Sequence, residues 1–105
     1  MVVKKLEASV ISAVNWSEVI QKSLARGANT VGMSAEFRAL GLTVAPLDVN
    51  GAEMAASLSS ATSKFGLSLA DRCCLALARQ FDVPVLTTDR LWSRLQIGVR
   101  VELIR

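Results

Sequence analysis

Three acidic residues stand out by their settings: Glu18 in Asn15-Trp16-Ser17-Glu18, Asp71 in Ser68-Leu69-Ala70-Asp71, and Asp89 in Thr87-Thr88-Asp89. Carboxylates brought close together repel, and sharing that charge is costly unless protons or a cation neutralise it. A divalent ion is the natural resolution. Magnesium and manganese take oxygen ligands, keep several waters, and can polarise a phosphodiester while activating a water as nucleophile. The chain has no histidine, which excludes Ser-His-Asp and Cys-His catalysis, histidine-ligated zinc and an imidazole base. Acid–base or metal chemistry here must therefore run on carboxylates.

The elements that would position these acids follow from the hydrophobic pattern. Val10 to Val14 is a short β-branched stretch, and from Asn15 the residues Trp16, Val19, Ile20 and Leu24 recur at helical spacing until Gly27. A shorter helix is expected over Thr30–Leu40, ended by Gly41, and then an extended segment Leu42–Leu47 that Pro46 cuts short. Asn50-Gly51-Ala52-Glu53 reads as the start of a helix running to Gly66, and Ser68-Leu69-Ala70-Asp71 as the capped start of the next. Val83–Thr87 is a strand, Asp89–Leu95 a short helix, and Val99–Ile104 a strand of alternating polarity suited to an edge.

Strands alternating with helices predict a three-layer α/β/α architecture with a mainly parallel sheet, because parallel strands need helical crossovers on the faces. Helices that follow a strand, and helices that lead into the next, both begin at the carboxyl edge of such a sheet. Glu18, Asp71 and Asp89 are thereby expected on one edge, the edge where open α/β sheets bind ligands. The positive ends of the helices would favour the ionised form of Glu18 and Asp71.

Each acid also has a structural alternative. Glu18 follows Asn15 by three and Asp71 follows Ser68 by three, the spacing of a capping box, while Asp89 after two threonines could cap a helix. Arg72 and Arg90 directly follow two of the acids and suit bidentate phosphate binding, or equally a structural salt bridge. Trp16 lies on an apolar helix stripe and reads as core; Trp92 is open to either packing or base stacking. Lys4, Lys5, Arg26, Arg38, Lys64, Arg79 and Arg94 are scattered and read as solvated surface.

The length of 105 residues, with 51% hydrophobic and 20% charged residues, suits one soluble domain over 1–105 and excludes a disordered chain. A net charge of +3 mildly favours an acidic partner such as RNA. Adjacent Cys73 and Cys74 cannot staple distant segments, so a secreted disulfide framework and a zinc site are disfavoured; they read as small packing residues in a reducing cytoplasm. No apolar run approaches a membrane span and Met1–Glu7 is too charged for a signal peptide, so a cytoplasmic location is expected, with no membrane partner.

Three segments taken together resemble the PIN-domain family, especially its VapC-like toxin ribonucleases. They are Ile11-Ser12-Ala13-Val14-Asn15-Trp16-Ser17-Glu18-Val19, Gly66-Leu67-Ser68-Leu69-Ala70-Asp71-Arg72 and Val85-Leu86-Thr87-Thr88-Asp89-Arg90. The resemblance runs in order from about Val10 to Arg105 and is specific in combination, each motif alone being weak. It implies a magnesium- or manganese-dependent endoribonuclease, the toxin of a type II toxin–antitoxin pair, that forms homodimers and is blocked by an antitoxin protein. Glu18, Asp71 and Asp89 match three of the family's four acidic positions. Thr87 matches a supporting hydroxyl, Asn15 a polar residue beside the glutamate, and Arg72 and Arg90 would flank the substrate.

The family's fourth acid sits on an opening strand, in an Asp-x-Ser-like motif, and nothing before Val10 matches it. Glu7, in a Lys-Lys-Leu-Glu setting, reads as a helix tail. The PIN-like fold is thus expected to be N-terminally incomplete, lacking the family's first strand, which is central there, and the helix that follows it. Three arrangements would compensate: direct pairing of strands 10–14 and 83–87, a strand supplied by a partner through exchange between protomers, or altered packing. A catalytically impaired remnant serving as a protein- or RNA-binding or dimerisation module is the alternative to the nuclease. A receiver- or phosphatase-like domain is disfavoured, since those need paired carboxylates on the opening strand and this chain opens Val2-Val3-Lys4-Lys5.

Overall fold

The structure is a computed structural model that describes residues 9–87 and 90–103, except for the side chain of Thr87. Short strands alternate with helices, as the hydrophobic periods require. β1 (Val10–Ser12) leads into α1 (Ala13–Ala25), then come α2 (Met33–Ala39), β2 (Thr43–Ala45), α3 (Val49–Ser57) and α4 (Ser59–Thr62). A 3-10 turn over Ser63–Phe65 precedes α5 (Leu69–Phe81), β3 (Val85–Thr87), a 3-10 helix over Arg90–Arg94, and β4 (Val101–Leu103). The class is α/β and every pairing between the described strands is parallel.

Among the described residues the strands form two parallel pairs rather than one continuous sheet, β1 with β2 and β3 with β4. Direct pairing of the strands at 10–14 and 83–87, one of the three arrangements considered above, is therefore not adopted. In a parallel pair, alternate residues turn their amide and carbonyl groups to opposite sides. The Ser9 carbonyl accepts from the Thr43 amide at 3.1 Å, so Val10 and Ser12 turn theirs away from β2. The Val85 amide donates to the Arg100 carbonyl at 2.9 Å, so Leu86 turns its own away from β4.

Helix α5 holds the two pairs together. It packs against β1, β3, α1 and α3, and its apolar face buries Ala70, Cys73, Leu75, Ala76, Leu77 and Ala78. Leu75 is wholly enclosed, in a core completed by Ala55, Leu58, Val85, Trp92, Leu95 and Ile97. Small residues allow α3 to approach closely. Ala55 is 0% exposed, and a Cβ on Gly51 would lie 3.6 Å from Gln80 Oε1 of α5.

Helix boundaries depart from the expected ones for local reasons. Ser12, not Asn15, caps α1, since its Oγ accepts from the Asn15 amide at 3.1 Å. Asp48, not Asn50, caps α3, with Oδ1 accepting from the Gly51 amide at 2.7 Å. The single helix expected over 50–66 breaks at Leu58. There, Ser57 Oγ, Thr62 Oγ1 and Ser63 Oγ each donate to a backbone carbonyl three or four residues earlier, which competes with regular helical bonding. Among the described residues no helix is long and apolar enough to cross a membrane.

Candidate functional site

The site is organised by Asn15 at the junction of β1, α1 and α5. Because α1 begins at Ala13, Asn15 occupies its first turn and shares an internal network with the buried Ser12. The Ser12 hydroxyl donates to Asn15 Oδ1, which leaves Asn15 Nδ2 aimed outward, where it donates to the Ala70 carbonyl at 3.2 Å. This clasp joins the start of α1 to the start of α5 across 55 residues of sequence. Glu18 lies three residues beyond Asn15, on the same helix face, and Asp71 is the residue after Ala70.

Asp71 performs the structural role that its spacing allows. It forms a reciprocal capping box with Ser68: Asp71 Oδ2 accepts from the Ser68 amide at 3.0 Å and Ser68 Oγ from the Asp71 amide at 3.1 Å. Glu18 does not. With the cap moved to Ser12, the first turn of α1 contains no acid, so Glu18 is neither a capping residue nor within the turn where the helix dipole acts strongly. Its side chain is exposed and, among the described residues, has no hydrogen-bond or ion-pair partner. A solvated carboxylate with no structural duty, beside a clasp of buried polar groups, is available to a ligand.

Of the other candidates, Arg72 is tied to the scaffold, its Nη1 donating to the Ala55 carbonyl at 3.1 Å across the α3–α5 interface. Arg90 is exposed at the start of the 3-10 helix. Thr87 closes β3, its side chain lies outside the described residues, and so does Asp89. Among the described residues no group of three histidine, cysteine, aspartate or glutamate side chains could hold a metal ion. Trp16 meets Phe37 edge to face, with ring centroids 5.7 Å apart, and Trp92 is buried at 7% exposure, which makes it a packing residue rather than a stacking platform.

Both cysteines are free thiols. Burial pushes Cys73 up from 9.0, with the Arg72 guanidinium opposing. Burial, then the Asp71 carboxylate, then Cys73, push Cys74 up from 9.0 to about 11. Thiolate is the reactive form, so neither should react with a disulfide reagent at about pH 8 faster than the chain unfolds, and both should react in urea. The folded chain keeps protons that the unfolded chain releases above pH 9.0, so stability holds below that value and falls as pH climbs towards 11. Urea midpoints across that range would register the decline, and it should be shallower in Cys74→Ala.

A second feature lies at the end of the 3-10 turn before α5. Lys64 and Phe65, with Leu91 and Arg94 from the later 3-10 helix, line a cleft of about 370 Å³. No pattern along the chain points to it, because Lys64 and Arg94 belong to no shared motif.

Parallel strands crossed by helices, with Asp71 at the start of α5 beside a polar clasp, define an α/β domain. Comparison with protein families matches residues 2–98 to the PIN domain, and the chain belongs to that family. No curated protein matches the chain. PIN domains act on nucleic acids and are generally dependent on a divalent metal. Glu18 and Asp71 carry hard oxygen donors of the kind magnesium takes, commonly one or two carboxylates with its remaining positions filled by water and phosphate, but the described residues do not gather three such groups.

Proposed function

We propose that the protein is a metal-dependent endoribonuclease of the VapC-like kind, the toxin of a type II toxin–antitoxin pair, working as one domain in the cytoplasm. Glu18 and Asp71 hold a magnesium or manganese ion together with Asp89. The supporting observation is the Asn15–Ala70 clasp, which draws the Glu18 face of α1 to the amino end of α5 where Asp71 begins. When bound, such an ion supplies Lewis-acid polarisation of a phosphodiester and a more acidic water. Asn15, locked by Ser12, ties the two helix starts together, and Arg90, exposed at the start of its 3-10 helix, would meet a phosphate oxygen. The resemblance in the segments 11–19, 66–72 and 85–90 further supports a homodimer and an antitoxin protein that covers the acids, and exchange of elements between protomers is one way the sheet would be completed.

The test is a panel of RNAs incubated with the purified protein and magnesium or manganese. Cleavage that disappears on chelation is the expected result. An untouched panel with both ions, from protein shown to be folded, overturns the nuclease. A second reading, a non-catalytic module that binds protein or RNA, is favoured by the commitment of Asp71 Oδ2 to the α5 cap. Metal-dependent cleavage by the wild type would end it.

A further inference from the structure

The cleft between the 3-10 turn at Ser63–Phe65 and the 3-10 helix at Arg90–Arg94 has a composition of its own. Its described lining is two cations, a phenyl ring and a leucine. Phe65 is half-buried and packs against the core, so its ring is a fixed surface, and Lys64 Nζ lies 5.5 Å from the ring centroid. The cation–π contact holds that ammonium near one place instead of leaving it to sweep through solvent. Among the described residues neither Lys64 nor Arg94 has a carboxylate partner. Two positive charges facing one cleft repel, and an anion seated between them removes that penalty.

The surroundings indicate which anion. Lys64 lies four residues before the Ser68 cap of α5, and the 3-10 helix carrying Leu91 and Arg94 begins directly after residues 88–89. In sequence, the cleft residues thus stand close to Asp71 on one side and Asp89 on the other. Leu91 and the rim of Phe65 add apolar surface between the charges, which suits a ribose or the edge of a base and not a bare inorganic ion. A concave pocket also selects a splayed single strand, because a duplex presents no unstacked nucleotide to enter it.

We propose that this cleft binds the sugar–phosphate backbone of one single-stranded RNA segment, with Lys64 and Arg94 on a phosphate and Leu91 and Phe65 against the adjoining nucleoside. The identity of the strand as RNA rests on the nuclease reading above; the site itself rests on the cleft. Lys64 and Arg94 are then positioning residues that place the strand beside the acids.

The experiment is fluorescence anisotropy of a short labelled single-stranded RNA in chelator, where binding is read without cleavage. Wild type is compared with Lys64→Gln, Arg94→Gln and the double variant over a range of salt, with Arg38→Gln as a control of equal charge change on α2. Both side chains are exposed and their glutamine variants keep the aliphatic stems, so melting curves should be unchanged. Each charge lost at the cleft should weaken binding about tenfold, and lower the slope of log affinity against log salt by about one. Arg38→Gln should stay within about twofold, as expected for a surface charge remote from the contact.

Wild-type protein that binds no RNA, or a double variant that binds like wild type with the same slope, overturns the cleft. Displacement of the RNA by an acidic peptide as readily as by unlabelled RNA of equal charge overturns the choice of a nucleic acid. The two proposals fail separately. Loss of binding in the double variant with no cleavage by the wild type in magnesium or manganese would retain the cleft and remove the nuclease. Cleavage with no effect of the double variant on binding would do the reverse.

Discussion

Asp71→Asn will leave the protein folded and lower its metal-dependent RNA cleavage by at least about 100-fold, since a lost anionic ligand removes several kcal/mol of transition-state stabilisation. The substitution separates two roles that one carboxylate fills. Asparagine keeps an oxygen that can accept from the Ser68 amide, so the α5 capping box survives with only the charge–dipole contribution lost, about 0.5–1 kcal/mol. Asp71→Ala also removes the acceptor, and its cost rises to about 1–2 kcal/mol. Glu18→Gln should be as damaging to cleavage and nearly silent in stability, within about 0.5 kcal/mol, because Glu18 is exposed and lacks a partner among the described residues. Cleavage rates beside urea midpoints decide the matter. Full cleavage by Asp71→Asn would reduce Asp71 to a helix cap.

The largest effect on stability is expected at Trp92. Its indole is 7% exposed and joins the 3-10 helix at Arg90–Arg94 to the core formed by Leu75, Val85 and Leu95. Trp92→Ala leaves a large void that neighbours on a short helix can fill only in part, and such truncations cost about 3–5 kcal/mol. A domain of this size has roughly 5–15 kcal/mol to lose, so the variant should melt far below the wild type and lie partly unfolded at moderate temperature. Urea denaturation followed by tryptophan fluorescence of the remaining Trp16 measures it. A loss below about 1 kcal/mol would mean that the helix is anchored by other contacts. Trp92→Phe should recover much of the loss, which a role in base stacking alone does not predict.

Legibility in the sequence followed the range of the interaction. The Ser68–Asp71 capping box depends on residues three apart and was readable directly, as was the stop of the β2 segment before Pro46. The start of α3 lies two residues ahead of the one its sequence suggests, because Asp48 and Asn50 are both good caps and it is Asp48 whose Oδ1 accepts from the Gly51 amide. The start of α1 was placed late because Ser12 looked like part of a strand; it is the last strand residue and the cap at once. Glu18 therefore lost its structural explanation only when the cap was seen. The division of the strands into two pairs was beyond the sequence, since pairing is set by contacts between distant segments. Lys64 and Arg94 are exposed as expected, and it is their meeting in one cleft, set by contacts between distant segments, that no local pattern shows.

The arrangement of α5 ties endurance to purpose. One helix is the common support of two strand pairs that do not hydrogen-bond to each other among the described residues, and its first turn also carries Asp71 and receives the Asn15 clasp. Neither ladder can be released without loosening the other, so melting should be a single cooperative event and not a sequence of partial ones. Damage anywhere along the buried face of that helix must then surface at its amino end, where Asp71 and the Asn15 clasp sit.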